Sequence, residues 1–122
     1  MECRKRTIFD NISPFNKIFH AGIREEPMVI IFGKYIKPLE VIDALLADHR
    51  RFLDTFLKES KFICYGPQNP RVGGVILANA GLDEVREILK RDPFYINEAV
   101  EYQFVEFSPI KCDGNFLNLS KS

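Results

Sequence analysis

The chain has few of the residues that mark membrane, disulfide-bonded or zinc-binding proteins. It contains no tryptophan and only three cysteines in 122 residues. Its longest apolar run, MVIIF at Met28 to Phe32, is far shorter than the roughly 20 residues that a membrane-spanning helix needs. The cysteines are widely spaced and odd in number, which excludes both a disulfide framework and a CxxC zinc pattern. We therefore expect no membrane partner and a reducing, cytoplasmic location.

An excess of charge of one sign is also missing. Seventeen Lys and Arg residues balance seventeen Asp and Glu residues, and no basic run is longer than Arg4 to Arg6. Such a chain has no overall field that would gather phosphates, so we expect no nucleic-acid partner. Glycine-rich phosphate loops, the HExxH zinc motif and the GxSxG nucleophile motif do not occur either. The sequence therefore predicts neither a metal site nor a cofactor.

What is present is the composition of one ordinary folded domain, with 46% apolar and 28% charged residues. Residues 1–27 scatter aromatic side chains among polar ones without a lasting helical or strand period, and we interpret them as an N-terminal extension. Residues 28–110 carry regular patterns and are predicted to form the domain. Residues 111–122 are predicted to be a polar C-terminal tail.

Within the domain, runs of β-branched residues alternate with segments whose apolar residues recur at helical spacing. Pro38 suits the first turn of a helix, and Gly81 suits the position just before one. The order of elements is β-α-β-β-α-β, which predicts a ferredoxin-like α+β fold with two helices on one face of an antiparallel sheet. The predicted strands span 28–35, 61–66, 75–79 and 101–107, and the predicted helices span 39–58 and 82–91.

The first strand predicts an oligomer. Its residues Val29 to Phe32 are all apolar, so both of its faces need cover, whereas two helices cover only one. A second copy packed sheet to sheet would give a symmetric homodimer. The alternative is that residues 1–27 fold over the open face.

His49 is the first candidate for chemistry. In the stretch LLADHRRFLD it shares the apolar face of the predicted helix with Leu45, Phe52 and Leu53. An imidazole there is either a core residue with satisfied hydrogen bonds or a proton carrier that an acid group orients. The neighbouring Arg50 is expected on the outer face of the helix.

Asp92 is the second candidate. It precedes Pro93, so it either ends the second helix as a turn residue or supplies the acid group that His49 needs. Spacing along the chain does not decide whether these two residues meet.

Four short motifs occur in a fixed order: HRRFLD at His49, GP at Gly66, RVGG at Arg71 and DPF at Asp92. In combination they resemble the YciI-like, or YCII-related, proteins over about residues 28–108. The resemblance implies a dimeric ferredoxin-like α+β barrel with a His-Asp pair as its active site, which falls on His49 and Asp92. It also implies that Arg71, Gly73 and Gly74 border the pocket.

The resemblance implies a small-molecule enzyme, and dehydrohalogenation of hydroxylated aromatics is among the chemistries suggested for the family. We expect a cofactor-free lyase or isomerase that moves a proton on a small anionic or phenolic metabolite. Arg71 would hold a substrate carboxylate or phenolate, and Gly73 and Gly74 would let backbone amides come close. The alternative for Arg71 is a loop residue whose charge is simply solvated. The alternative for Gly73 and Gly74 is a bend in the hairpin. For the whole protein, the alternative is a non-catalytic dimer that binds a ligand or serves regulation.

Overall fold

A computed structural model describes residues 26–115, which form one four-stranded sheet and three helices. In chain order the elements are β1 (Met28–Tyr35), α1 (Leu39–Lys58), β2 (Phe62–Pro67), β3 (Gly73–Ala78), α2 (Leu82–Leu89), α3 (Pro93–Ile96) and β4 (Val100–Phe107). Most of the predicted N-terminal extension and part of the predicted tail lie outside the described residues, so the three segment boundaries stay predictions.

The sheet has the strand order β2-β3-β1-β4, and every neighbouring pair is antiparallel. Ile31, in the central strand, lies between Ile76 of β3 and Phe104 of β4. This is the predicted ferredoxin-like arrangement, so the fold class is confirmed. None of the helices among residues 26–115 is both long and apolar enough to cross a membrane. The cytoplasmic location stays a prediction.

Both long helices pack on one face of the sheet, because alternate strand residues supply an apolar layer there. The buried cluster on that face combines strand residues with residues of both helices: Val29, Ile31, Ile76 and Ala78 with Leu53, Phe56, Val85, Ile88 and Leu89. The opposite face keeps large apolar side chains at the surface, since Phe32, Val105 and Phe107 are 38%, 49% and 39% exposed. In the described part of the chain this face of the sheet therefore stays partly exposed, although Met28 on the same face is buried.

Helix α2 begins directly after Gly81, as the sequence predicts, but the side chain that caps it comes from a distant strand. Gly81 has no side chain to accept a hydrogen bond from the first turn. The carboxylate of Glu106 in β4 accepts one from the backbone N–H of Leu82 at 2.9 Å. This contact satisfies one of the free donors at the helix start and places a negative charge at the positive end of its dipole.

The short helix α3 is absent from the sequence prediction. Asp92 stops the preceding segment as predicted, with an extended backbone (φ −70°, ψ 130°), but it is also the N-cap of a new helical turn. Pro93 occupies the first turn, where its fixed φ is favourable and its missing N–H costs nothing. The Asp-Pro pair therefore starts a new helical turn, whereas α2 ends earlier, at Leu89, two residues before its predicted end.

Two glycines allow a close approach of β1 to its neighbours. A Cβ on Gly73 would lie 2.0 Å from the carbonyl oxygen of Gly33, and a Cβ on Gly33 would lie 2.8 Å from Cε1 of Tyr102. No side chain fits at either position without displacing backbone or a packed ring.

We expect Gly73→Ala to lower the free energy of unfolding by about 1–3 kcal/mol, because its methyl group would press on the backbone of Gly33. Gly66→Ala is the matched control, since a Cβ at Gly66 meets nothing within 4 Å. Equilibrium urea unfolding measures both. Equal stability of the two variants would contradict the packing argument.

Candidate active site

A cleft of about 510 Å³ opens beside His49, between α1 and the β2–β3 side of the sheet. Its walls are mainly apolar, with side chains of Leu46, Leu53, Leu57, Ile63 and Val100. Three tyrosines, two arginines and His49 supply its polar groups: Tyr35, Tyr65, Tyr102, Arg50 and Arg71. An apolar cavity with a few convergent polar groups is the usual form of a small-molecule site.

The carboxylate of Asp92 lies behind this cleft and is fully buried. Its Oδ1 atom accepts hydrogen bonds from the backbone N–H of Phe94 at 3.1 Å and from Nδ1 of His49 at 2.7 Å. Its Oδ2 atom accepts a hydrogen bond from the hydroxyl of Tyr102. Three donors from three elements thus converge on one buried acid group, as such a group requires.

The ring of His49 is fixed in both position and orientation. It stacks on Phe94 with a centroid distance of 3.7 Å and an interplanar angle of 8°. Because a carboxylate only accepts hydrogen bonds, the proton of the neutral ring belongs on Nδ1. Nε2 has no hydrogen-bond partner among residues 26–115, and the side chain lines the cleft with 12% of its surface exposed. The structure thus brings the two predicted residues together as a hydrogen-bonded pair with a free basic nitrogen.

Tyr102 belongs to the same network, although the sequence analysis did not single it out. Burial and the negative charge of Asp92 raise the pKa of Tyr102 well above its usual range. The phenol therefore stays protonated and acts as a donor to the carboxylate. The sequence offered only a partial signal, since the alternation in EYQFVEF puts Tyr102 on the same face of the strand as Phe104. Its position opposite Gly33 of β1 follows from the register of the sheet.

Arg71 lines the cleft, as expected, but its charge is already paired. Its Nη2 atom lies 2.5 Å from Oδ1 of Asp43, and its guanidinium carbon lies 5.9 Å from the centre of the Tyr35 ring. Gly74 also lines the cleft, whereas Gly73 does not and instead packs against Gly33. The substrate-binding roles of these residues stay predictions.

Arg50 is exposed to solvent, as expected, but it is not confined to the outer face of α1. It lines the cleft beside His49, because positions 46, 50, 53 and 57 of α1 form one helical face. Across the cleft, the hydroxyl of Tyr65 donates a hydrogen bond to Asp54 at 2.6 Å. Burial, the hydrogen bond and the charge of Asp54 together raise the pKa of Tyr65.

No group of three metal-ligating side chains is gathered anywhere in the part of the chain that the structure describes.

Comparison with known proteins supports the assignment of the fold. The family model for the YCII-related domain matches residues 28–108. Among solved structures, the chain is similar to 5-chloro-2-hydroxyhydroquinone dehydrochlorinase from Burkholderia phenoliruptrix AC1100, in complex with 2,5-dihydroxybenzoquinone. That match has a TM-score of 0.51 and 19% sequence identity, and it covers 65% of this chain and 90% of the other. No curated protein matches the chain.

The titration of Tyr102 tests the network. Because its pKa is raised in the folded protein, this phenol stabilises the fold below about pH 10, and the stabilisation falls as the pH rises further. Ultraviolet absorbance should show fewer tyrosines ionising near pH 10 in the native protein than in urea, because the pKa values of both Tyr102 and Tyr65 are raised. Tyr102→Phe should remove the larger part of that difference, and Tyr65 should account for the rest. The same variant should cost about 1–3 kcal/mol of stability, since it leaves a buried carboxylate oxygen without its donor. Full ionisation of all tyrosines in the native protein near pH 10 would contradict the network.

Proposed function

The chain belongs to the YCII-related domain family, and on that premise we propose that it is a small-molecule lyase or isomerase. In this proposal His49 and Asp92 move a proton on an anionic or phenolic substrate without a cofactor. The observation that supports it most directly is the 2.7 Å contact between Nδ1 of His49 and Asp92, with the other edge of the ring at a cleft.

His49 is the general base and acid. Asp92 holds the proton on Nδ1, so Nε2 keeps a lone pair that takes a proton from the substrate. Asp92 then stabilises the imidazolium that forms. In an isomerisation the proton returns at another position of the substrate. In an elimination a leaving group such as chloride departs with its bonding electrons. Proton transfer by a positioned side chain contributes about 10²- to 10⁴-fold in rate, which suits substrates that are already acidic.

The walls of the cleft favour an aromatic substrate. A planar, apolar ligand can pack against the aliphatic side chains and tyrosine rings of the cleft. The polar groups lie at separate points around the cavity. The structural relative is a dehydrochlorinase of a hydroxylated aromatic ring. We therefore propose hydroxylated, including chlorinated, phenols as the substrate class.

We expect His49→Ala to reduce turnover by about 10²- to 10⁴-fold, because it removes the base while leaving the apolar walls in place. The test uses 5-chloro-2-hydroxyhydroquinone and a panel of hydroxyphenols with and without chlorine. Chloride release reports elimination, and incorporation of deuterium from D₂O reports proton transfer alone. Asp92→Asn should lose activity in the same direction, since an amide no longer holds the ring in the required tautomer.

Asp48→Asn is the matched control, because Asp48 flanks His49 but pairs with Arg51 at the surface. Thermal unfolding shows whether each variant remains folded. Turnover or exchange that is unchanged in a folded His49→Ala protein would contradict the proposal. Ligand binding without turnover or exchange across the whole panel would favour a non-catalytic binding module instead.

We further propose that the open face of the sheet is a homodimer interface. Phe32, Val105 and Phe107 are exposed on this face, beside the partly buried Ile30 and Leu77. A contiguous apolar patch of this kind is costly to leave in water. A second copy of the same patch would bury it symmetrically.

Phe32→Glu should convert the dimer into a folded monomer, because it places a charge within the apolar patch. Sedimentation equilibrium measures the molecular mass. Leu39→Glu is the control, since Leu39 is also exposed but lies at the start of α1, away from this face. A wild-type protein that is monomeric at all concentrations would contradict the dimer and favour cover of the face by residues 1–27.

A further inference from the structure

Building on the proposed function, we propose that Arg50, rather than Arg71, is the residue that binds the anionic oxygen of a phenolate in the cleft. The two arginines line the same cavity, but their surroundings differ. They differ in whether the positive charge is still available to a ligand.

The side chains that line the cleft include basic groups but no acidic group in the described part of the chain. His49, Arg50 and Arg71 line it, whereas no aspartate or glutamate among residues 26–115 does. Asp92, the acid group nearest to His49, is fully buried behind the ring and is occupied by three donors. An anionic ligand would therefore meet cationic side chains and no exposed carboxylate in the cavity wall.

The positive charge of Arg71 is already in use. Asp43 lies 2.5 Å from its guanidinium group, and the ring of Tyr35 lies beneath it. A ligand anion at Arg71 would have to displace or share Asp43 and would be repelled by its charge. The ion pair of Arg71 and Asp43 has no net charge, and it joins the β2–β3 loop to α1.

Arg50 has no such partner. It makes no hydrogen bond or ion pair with any other residue of the described segment 26–115, and its positive charge acts on the nearby phenol of Tyr65. Asp54 lies one helical turn beyond Arg50, but its Oδ1 atom accepts the hydroxyl proton of Tyr65 instead. Arg50 therefore presents a free guanidinium group next to His49, where it can form charge-assisted hydrogen bonds to a phenolate oxygen.

Tyr65 adds a second recognition element. Its hydroxyl proton is committed to Asp54, so its oxygen can accept a hydrogen bond from a ligand hydroxyl. The cleft thus has a donor for an anionic oxygen at Arg50 and an acceptor for a neutral hydroxyl at Tyr65. A monoanion of a dihydroxylated ring carries both groups.

Binding measurements test this assignment separately from turnover. The probes are 2,5-dihydroxybenzoquinone, which is anionic at neutral pH, and its uncharged 2,5-dimethoxy analogue, each titrated by calorimetry. Arg50→Gln should weaken binding of the anion by about 10- to 100-fold, as expected for the loss of a charge-assisted hydrogen bond. Binding of the neutral analogue should not change. Arg50→Lys should restore part of the affinity, because it keeps the charge but not the bidentate geometry.

Arg51→Gln is the matched control. It removes the same charge from the next residue, but Arg51 is 72% exposed, pairs with Asp48 and does not line the cleft. It should leave the dissociation constant of the anion unchanged. Arg71→Gln should change it by less than roughly threefold, since the guanidinium group of Arg71 already donates to Asp43, whose negative charge opposes a second anion there. Raising the salt concentration should weaken anion binding in the wild type more than in Arg50→Gln.

The assignment is overturned if Arg50→Gln binds the anion as tightly as the wild type, or if Arg71→Gln loses affinity while Arg50→Gln does not. It is also overturned if the wild type binds the neutral analogue as tightly as the anion. Anion binding that depends on Arg50 but is accompanied by no turnover would support the assignment and contradict the enzyme proposal. The two proposals can therefore fail independently.

Discussion

The buried carboxylate of Asp92 is the contact on which the arrangement of the cleft depends. A charge removed from water is costly unless hydrogen bonds replace its hydration. Here the replacements come from the side chain of His49 in α1, the backbone of Phe94 in α3 and the hydroxyl of Tyr102 in β4. Each hydrogen bond to a charged group contributes about 1.5–3 kcal/mol. One acid group therefore joins three elements that are remote in sequence, and it orients the imidazole in doing so.

The sheet makes room for this network with glycine. Tyr102 reaches Asp92 because Gly33, opposite it in the central strand, has no side chain to block the ring. Gly33 in turn lies so close to Gly73 that a side chain on Gly73 would collide with its carbonyl oxygen. Gly73 in β3 and Gly33 in β1 thus leave room for the large ring of Tyr102 in β4. The family motif around Gly73 can be explained here by packing between strands, before any contact with a substrate is considered.

The charges around the cleft fall into two kinds. Asp43 with Arg71, and Asp54 with Tyr65, are pairs formed within the protein, and each joins α1 to the β2–β3 side of the molecule. His49 and Arg50 are adjacent in sequence and keep polar atoms available in the cavity. Helical spacing explains why these neighbours can both face the cleft, since the cavity spans a wide arc of the surface of α1.

The sequence by itself determined the order and bounds of the main elements, because apolar periodicity, Pro38, Gly81 and the Asp92-Pro93 pair are local signals. It also predicted an exposed apolar sheet face, from the unbroken apolar run in β1, and it placed His49 on an inward helix face. Only the tertiary structure decided that Asp92 lies within hydrogen-bond distance of His49, that Tyr102 completes the network, and that Asp43 engages Arg71. These contacts join residues 10 to 43 positions apart. No local pattern encodes them, since they arise only when the strands and helices pack in three dimensions.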